Sequence, residues 1–465
     1  MVGRSTTTTK GIHRPTIPIR IFYRRTHDPS FTPPLPHLYI GPSDTNPEPD
    51  TTNEGCDMTM KATITAVIFL AAYSMHAQTT VWQQSITFPE TTFVEDAGVD
   101  LAMLPGGDLL LLGGYDSAMN NEMTMVGIEL ARVGQDGTIR WAKRLHFPGR
   151  VTPVALLPMS DTLFAIVGWV EDSISVADDE RVWIGLADTS GAVTFQGIFP
   201  QIDMRLDQIK RSMDAEFSDS GYVASGVRMG EAVVLITAPD LGFVTARSYS
   251  RGVDLLSTAI APSIDGGYLL VMNMRDGDRI RPEVLGLDRH GDSIWSLRYM
   301  PKSTEVWNDI LPTADGGFIV AGTTGHEDVD RFGNLTVTKY EIARYVQWRV
   351  DRKYWVFDGD STGINVANRI VPMEDGRIMI VGRTGQGYTV PFLLELDRNG
   401  KETFQYITGP LEFSESDARA IVPLSDDEFI VLGTKYLDMW VARVKREVSD
   451  VREVFEEKKL DLSER

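Results

Sequence analysis

The chain has 465 residues, of which 42% are hydrophobic and 24% charged, with a formal net charge of −20. That composition is ordinary for a soluble globular protein, and the acidic balance argues against a nucleic-acid binder, which needs clustered Lys and Arg to neutralise phosphates. A single cysteine excludes both a disulfide framework and a multi-cysteine metal site.

Residues 1–57 hold nine of the 24 prolines, a Thr run at 6–9 and balanced charges, with no periodic apolar pattern. Such a segment buries too little surface to offset its ordering entropy, so it is expected to be a disordered or mis-translated leader. Residues 58–77 read as a signal peptide. MKATITAVIFLAAYSMHAQ, Met60 to Gln78, has a basic start at Lys61, an apolar run from Ala62 to Tyr73 and a small residue at Ala77. The run is about twelve residues, against roughly 20 for a spanning helix. Two readings stand. Translation starts at Met58 or Met60 and residues 1–57 are upstream sequence, or the chain has a disordered cytosolic tail and a short membrane anchor. A product cleaved before Gln78 loses Cys56 and is left without a cysteine, so lipid anchoring through an N-terminal cysteine is closed to it. No membrane span is expected after signal cleavage, since no further apolar run of about 18 residues occurs.

Residues 78–94 are expected to supply a closing strand: TVWQQSITF, Thr80 to Phe88, resembles the last strand of a repeat unit, and its Trp82 corresponds to Trp141. Val451 to Leu460 is the alternative for that place. Between them, a polar turn followed by five apolar residues and usually a Gly recurs seven times, reaching Gly113, Gly168, Gly226, Met272, Gly322, Gly382 and Gly433. The period is about 53 residues, in the range of propeller repeats. Six copies are preceded by a short apolar segment that ends in proline, at Pro105, Pro158, Pro262, Pro312, Pro372 and Pro423, where a strand stops because proline has no donor for the ladder. Four copies continue into a turn and an aromatic, at Trp141, Phe195, Trp295 and Phe404. The turn Gly supplies positive φ, and the aromatics read as packing between units. Four strands in each of seven units predict an all-β fold, a seven-bladed β-propeller of four-stranded antiparallel blades over residues 95–460, with a tail at 461–465. The continuous apolar runs, such as LLLLG and FIVAG, fit strands covered on both faces.

ILPTADGGFIVAGTT (Ile310–Thr324) and LELDRNGKETF (Leu394–Phe404) resemble the delta-sixty repeat family of bacterial exported β-propellers, over residues 95–445. The resemblance implies this fold and export to the periplasm, cell surface or exterior. It implies no catalytic residues. Many relatives carry a C-terminal secretion domain, which the segment after the last repeat does not resemble.

Little in the sequence carries chemistry. His146, His290 and His326 fall in different repeats without metal-ligand spacing, and no nucleophile elbow, Walker loop or dinucleotide fingerprint occurs. The turns are spaced differently from sialidase motifs, and ADTSGAVTF, Ala187 to Phe195, approaches the quinoprotein dehydrogenase motif only once. Asp328, Asp330 and Asn334 have the alternating oxygens of a Ca²⁺ loop, but Phe332 stands where a third ligand is wanted. That loop and the acidic loop Glu171–Glu180 read as solvated. No catalytic, cofactor or metal residue is assigned. The connections Asp116–Thr124, Glu171–Arg181, Arg275–Pro282 and Thr323–Thr336, with Trp169, Trp307 and Tyr115 nearby, are the expected contact surface. The reading is an exported, non-catalytic binding module for a protein or glycan. The alternatives are a carbohydrate-active hydrolase or lyase using paired carboxylates, and a structural module that needs a partner chain.

Overall fold

The computed structural model describes residues 78–86, 88, 94–117, 125–146, 150–171, 180–212, 221–299, 304–325, 332–340, 364–373, 375–385, 389–397, 402–407, 416–435 and 438–446. The leader 1–57, the signal segment 58–77, the alternative closing segment Val451–Leu460 and the tail lie outside the described residues.

The described elements are strands in antiparallel sheets. Sheet 1 is β2 (Val94–Met103), β3 (Leu109–Ser117), β4 (Met125–Val133) and β5 (Ile139–His146). Sheet 2 is β6 (Arg150–Pro158), β7 (Leu163–Glu171), β8 (Glu180–Asp188) and β9 (Val193–Asp203). Sheet 3 is β10 (Arg205–Arg211), β11 (Tyr222–Arg228), β12 (Glu231–Thr237) and β13 (Phe243–Tyr249). Sheet 4 is β14 (Asp254–Pro262), β15 (Tyr268–Asp276), β16 (Arg279–Leu287) and β17 (Ser293–Arg298). Sheet 5 has three strands, β18 (Glu305–Pro312), β19 (Phe318–Gly325) and β20 (Phe332–Tyr340). Sheet 6 is β21 (Ile364–Pro372), β22 (Ile378–Gly385), β23 (Val390–Leu396) and β24 (Glu402–Ile407). Sheet 7 is β25 (Asp417–Pro423), β26 (Glu428–Lys435) and β27 (Asp438–Arg446), completed by the N-terminal β1 (Gln78–Ile86) paired with β27.

The fold is a β-propeller of four-stranded antiparallel blades. The first strand of each sheet packs on the first three strands of the sheet before it, and β2 closes the circle by packing on β25, β26 and β27. The expectation of seven four-stranded blades is corrected to six. Sheet 5 has three strands among the described residues, and 341–363 lie outside them. A second correction concerns Arg275–Pro282, expected to be a long connection. Strands β15 and β16 extend through it and leave only Gly277 and Asp278 as a tight hairpin, with Gly277 at φ 63°.

Alternation explains why the second strands are continuously apolar. In β3, Leu109 and Leu111 pack with Ile430, Leu432 and Val441 of sheet 7, whereas Leu110 and Leu112 pack with Phe164 and Ile166 of sheet 2. Successive side chains point to opposite faces of a strand, and both faces are interblade core. Each such leucine contributes roughly 1.5–3 kcal/mol by leaving water.

The repeated Gly that ends each apolar run has a steric cause. Every innermost strand is bulged at mid-length, at residues 99, 154, 207, 308, 368 and 419 in six of the sheets. The Gly faces the residue just before the bulge, whose neighbourhood is crowded by the displaced backbone. A Cβ on Gly168, Gly226, Gly322, Gly382 or Gly433 would stand 1.9–2.2 Å from a carbonyl oxygen of the innermost strand. The one copy with Met272 instead of Gly shifts its bulge by two residues. In β14 the bulge falls at Leu256, opposite the step from Asn273 to Met274, and Met272 pairs with Thr258 in regular register.

The fourth-strand aromatics seal neighbouring units. Trp141 lies against Gly191 in the turn of sheet 2, and Trp82 of β1 lies likewise against Gly137 in the turn of sheet 1. Both glycines have positive φ, 75° and 82°, and both would clash with the indole if they carried a Cβ. The Trp82 indole N–H also donates to the Gln135 carbonyl at 2.9 Å.

Candidate functional site

In six of the seven sheets the bulge residue faces one cavity at the innermost strands; Leu256, the bulge of sheet 4, is not in its lining. The six are Val99, Val154, Asp207, Asn308, Asn368 and Arg419, and they line this cavity of about 310 Å³ together with Gln208, Ile209, Arg369, Arg383 and Asp417. Val154, Asn308, Asn368 and Arg419 each stand four residues before the proline that ends the innermost strand, as in NDILP, NRIVP and RAIVP. The scaffold positions therefore repeat while the channel-facing position varies.

Most of the charge here is engaged. The Asp100 carboxylate accepts from Arg369 Nη1 at 2.8 Å and from the Leu156 amide at 3.0 Å, so one residue ties sheets 6, 1 and 2 together. Asp309 Oδ1 accepts from Lys210 Nζ at 2.6 Å and Gln208 Nε2 at 3.0 Å, and its Oδ2 accepts the Ile370 amide at 3.0 Å. Lys210 thus spans from sheet 3 to sheet 5, past sheet 4. Burial alone would raise the Asp309 carboxyl, but the Lys210 and Arg369 cations hold it below its ordinary value. Burial lowers the Lys210 ammonium against the pull of Asp309, and Arg369 adds to that lowering. Asp207 accepts from the amide and hydroxyl of Thr258, at 2.7 and 3.0 Å, and from Arg205 Nε at 3.2 Å. Burial nevertheless raises its carboxyl above the ordinary value. Asp417 accepts from Arg419 Nε at 2.7 Å and the Thr434 amide at 3.2 Å. Asn308 and Asn368 each donate from Nδ2 to the next sheet's innermost strand, to the Ala367 and Ala418 carbonyls, both at 2.8 Å.

The aromatics expected at the contact surface are core residues instead. Trp307 is fully buried between sheets 4 and 5. Its backbone N–H and C=O are both held by Asn273 at 2.9 Å, and its indole donates to Glu305 at 2.6 Å. Burial pushes the Glu305 carboxyl up to about 7. Tyr115 is buried with the Arg144 guanidinium over its ring, and Trp169 packs against the core between sheets 2 and 3. A strand's side chains alternate between two interblade cores, which leaves an aromatic near its end still inside. His290 sits in an exposed turn, its amide donating to Asp288 at 2.8 Å. His326, Asp328 and Asp330 lie outside the described residues, as do 118–124, 172–179 and 326–331 of the long connections. Among the described residues no group of three His, Cys, Asp or Glu could hold a metal ion.

A larger depression, about 740 Å³, is lined by the first turns of sheets 1 and 2, at Pro105 to Gly107 and Pro158 to Asp161, and by Pro239. Its lining is largely apolar, proline and glycine, with Asp161, Arg211 and Tyr222 as its titratable groups. The smaller channel cavity, where polar groups from several sheets converge, is the better candidate despite its size.

No protein-family model matches the chain, and no curated protein matches it significantly. Among solved structures it is similar to YCF48 from Cyanidioschyzon merolae, with 10% identical residues and a TM-score of 0.45, over 77% of this chain and 98% of that one.

Proposed function

We propose that this protein is an exported, non-catalytic β-propeller of the delta-sixty repeat type that binds a protein or glycan, with the channel cavity as its ligand seat. The mature chain begins near Gln78 and acts in the periplasm, at the cell surface or outside the cell.

The observation that carries the reading is the ring of bulges. Residues of four different types from six units converge on one cavity over a repeated backbone bulge, an arrangement suited to recognition. The carboxylates there favour binding over hydrolysis. Asp100, Asp207, Asp309 and Asp417 each accept at least two donors, whereas a general acid or base needs a carboxyl able to exchange its proton with substrate. The test is a glycan panel assayed in parallel for retention of the purified protein and for release of reducing ends. Retention without cleavage supports the proposal, and cleavage transfers it to the hydrolase or lyase alternative. N-terminal sequencing of exported protein tests the compartment: a start near Gln78 agrees, and retained residues 1–57 refute export by this signal.

A further inference from the structure

The geometry points to one small hydroxylated carboxylate, of sugar-acid type, as the ligand of the channel cavity, with Arg383 as its counter-ion. This deepens the binding-module reading and rests on it.

Charge matching comes first. The cations in and around the cavity are spoken for: Arg369 by Asp100, Arg419 by Asp417, Arg205 by Asp207 and Lys210 by Asp309. Arg383, half-buried in the cavity wall, has no hydrogen bond or ion pair among the described residues. The lining therefore carries one uncompensated positive charge. A partly desolvated guanidinium gains most from an anion that accepts its fork of donors, which is the geometry of a carboxylate. A monoanion neutralises the surplus, whereas a phosphate ester, at about −1.5 to −2, overshoots it.

Hydrogen-bond capacity comes second. Asn308 and Asn368 use an amide N–H on the neighbouring strand, and the Oδ1 of each has no partner among the described residues. An amide oxygen accepts, so the ligand must bring donors beside its carboxylate, as hydroxyls do. Size comes third. A cavity of about 310 Å³ lies at the low end of ligand pockets and suits a single ring rather than a chain. The net charge of −20 repels an extended polyanion but leaves room for one anionic group in a positive seat.

The experiment is calorimetric titration of the full chain with galacturonate and glucuronate, against galactose, glucose and inorganic phosphate. It is repeated on Arg383→Gln and Arg383→Lys after thermal melts establish that both fold. The uronates should bind at least about tenfold more tightly than the neutral sugars. Arg383→Gln should lose about tenfold or more, since a hydrogen bond to a charged group contributes that much, and Arg383→Lys should lose less. Phosphate binding as tightly as the uronates, neutral sugars binding equally, or uronate affinity unchanged in Arg383→Gln each overturn the inference. Absence of uronate binding also overturns it. If the glycan panel then still retains the protein, the binding-module reading survives and only the ligand class falls.

Discussion

Replacing Gly322 by Ala tests the steric account of the repeat. The added Cβ would stand 1.9 Å from the Val306 carbonyl oxygen and 2.9 Å from the Trp307 Cα, where real Cβ contacts essentially never fall below 3.0 Å. The carbonyl must therefore retreat by about an ångström. It has little freedom to do so, because Trp307 is fully buried and its backbone N–H and C=O are both fixed by Asn273. Overpacking of this kind costs about 1–3 kcal/mol, and the fixed backbone places Gly322→Ala near the upper end. Gly106 is the control, since a Cβ there meets nothing within 4 Å, and Gly→Ala at a compatible site gains about 0.4–1 kcal/mol. Urea unfolding of the two variants beside the parent gives the comparison. A loss below about 0.5 kcal/mol for Gly322→Ala, or the same loss in both variants, would refute the close approach.

Three further outcomes follow from the geometry. Met272→Gly restores the repeat consensus but should destabilise by about 2–5 kcal/mol, because Met272 is 1% exposed and its removal leaves a cavity; increased stability in urea unfolding would contradict the displaced bulge. The Glu305 carboxyl, raised from 4.5 to about 7, binds its proton more tightly folded than unfolded. Stability from this group is full below pH 4.5 and falls as pH rises toward 7, by roughly 3 kcal/mol in all. Glu305→Gln should flatten that slope in pH-dependent unfolding, and an unchanged slope would sink the assignment. In sheet 1, burial and the neighbouring Asp96 raise Glu129 to about 9, with Arg144 bonded to both at 2.7 Å. Glu129→Gln should then change stability by less than about 1 kcal/mol at pH 7, since the carboxyl is already protonated. Arg144→Met should cost about 3–5 kcal/mol by leaving the buried Asp96 carboxylate without its cation; equal effects of the two would show that Glu129 is ionised.

Much of the propeller was legible because its physics repeats. Apolar runs such as LLLLG announce strands covered on both faces, and Leu109 to Leu112 divide between two cores accordingly. Prolines at 158, 262, 312, 372 and 423 end innermost strands. Trp82 and Trp141 stand against equivalent turn glycines, which is why a lone N-terminal segment could be matched to a fourth strand. The aromatic contact surface failed for a reason of the same kind. Loop length and nearby aromatics suggested exposure, but Trp307 and Tyr115 belong to strands whose alternate faces are both interior. The short hairpin at Gly277 was misjudged because Arg275 and Arg279, polar and turn-like in sequence, continue the pairing of β15 and β16.

The site is not announced by a constellation of residues in the sequence, because in a repeat fold the informative position is the one that does not repeat. The bulge needs no particular side chain, only a small residue opposite it, so selection on the fold acts on Gly168, Gly322 or Gly433 and leaves the channel-facing residue unconstrained. Valine at 99 and 154, Asp207, asparagine at 308 and 368 and Arg419 are four different residue types in six copies of one structural slot. The valines belong to the adjacent sheets 1 and 2, and the polar residues to sheets 3, 5, 6 and 7, the last three being sheet 6, which carries Arg383, and its two neighbours. A packing role alone would favour like residues around a ring of like backbones. The asymmetry therefore argues that something of one polarity on one side enters the channel. Aligning the units on the proline four residues downstream displays that slot at Val154, Asn308, Asn368 and Arg419.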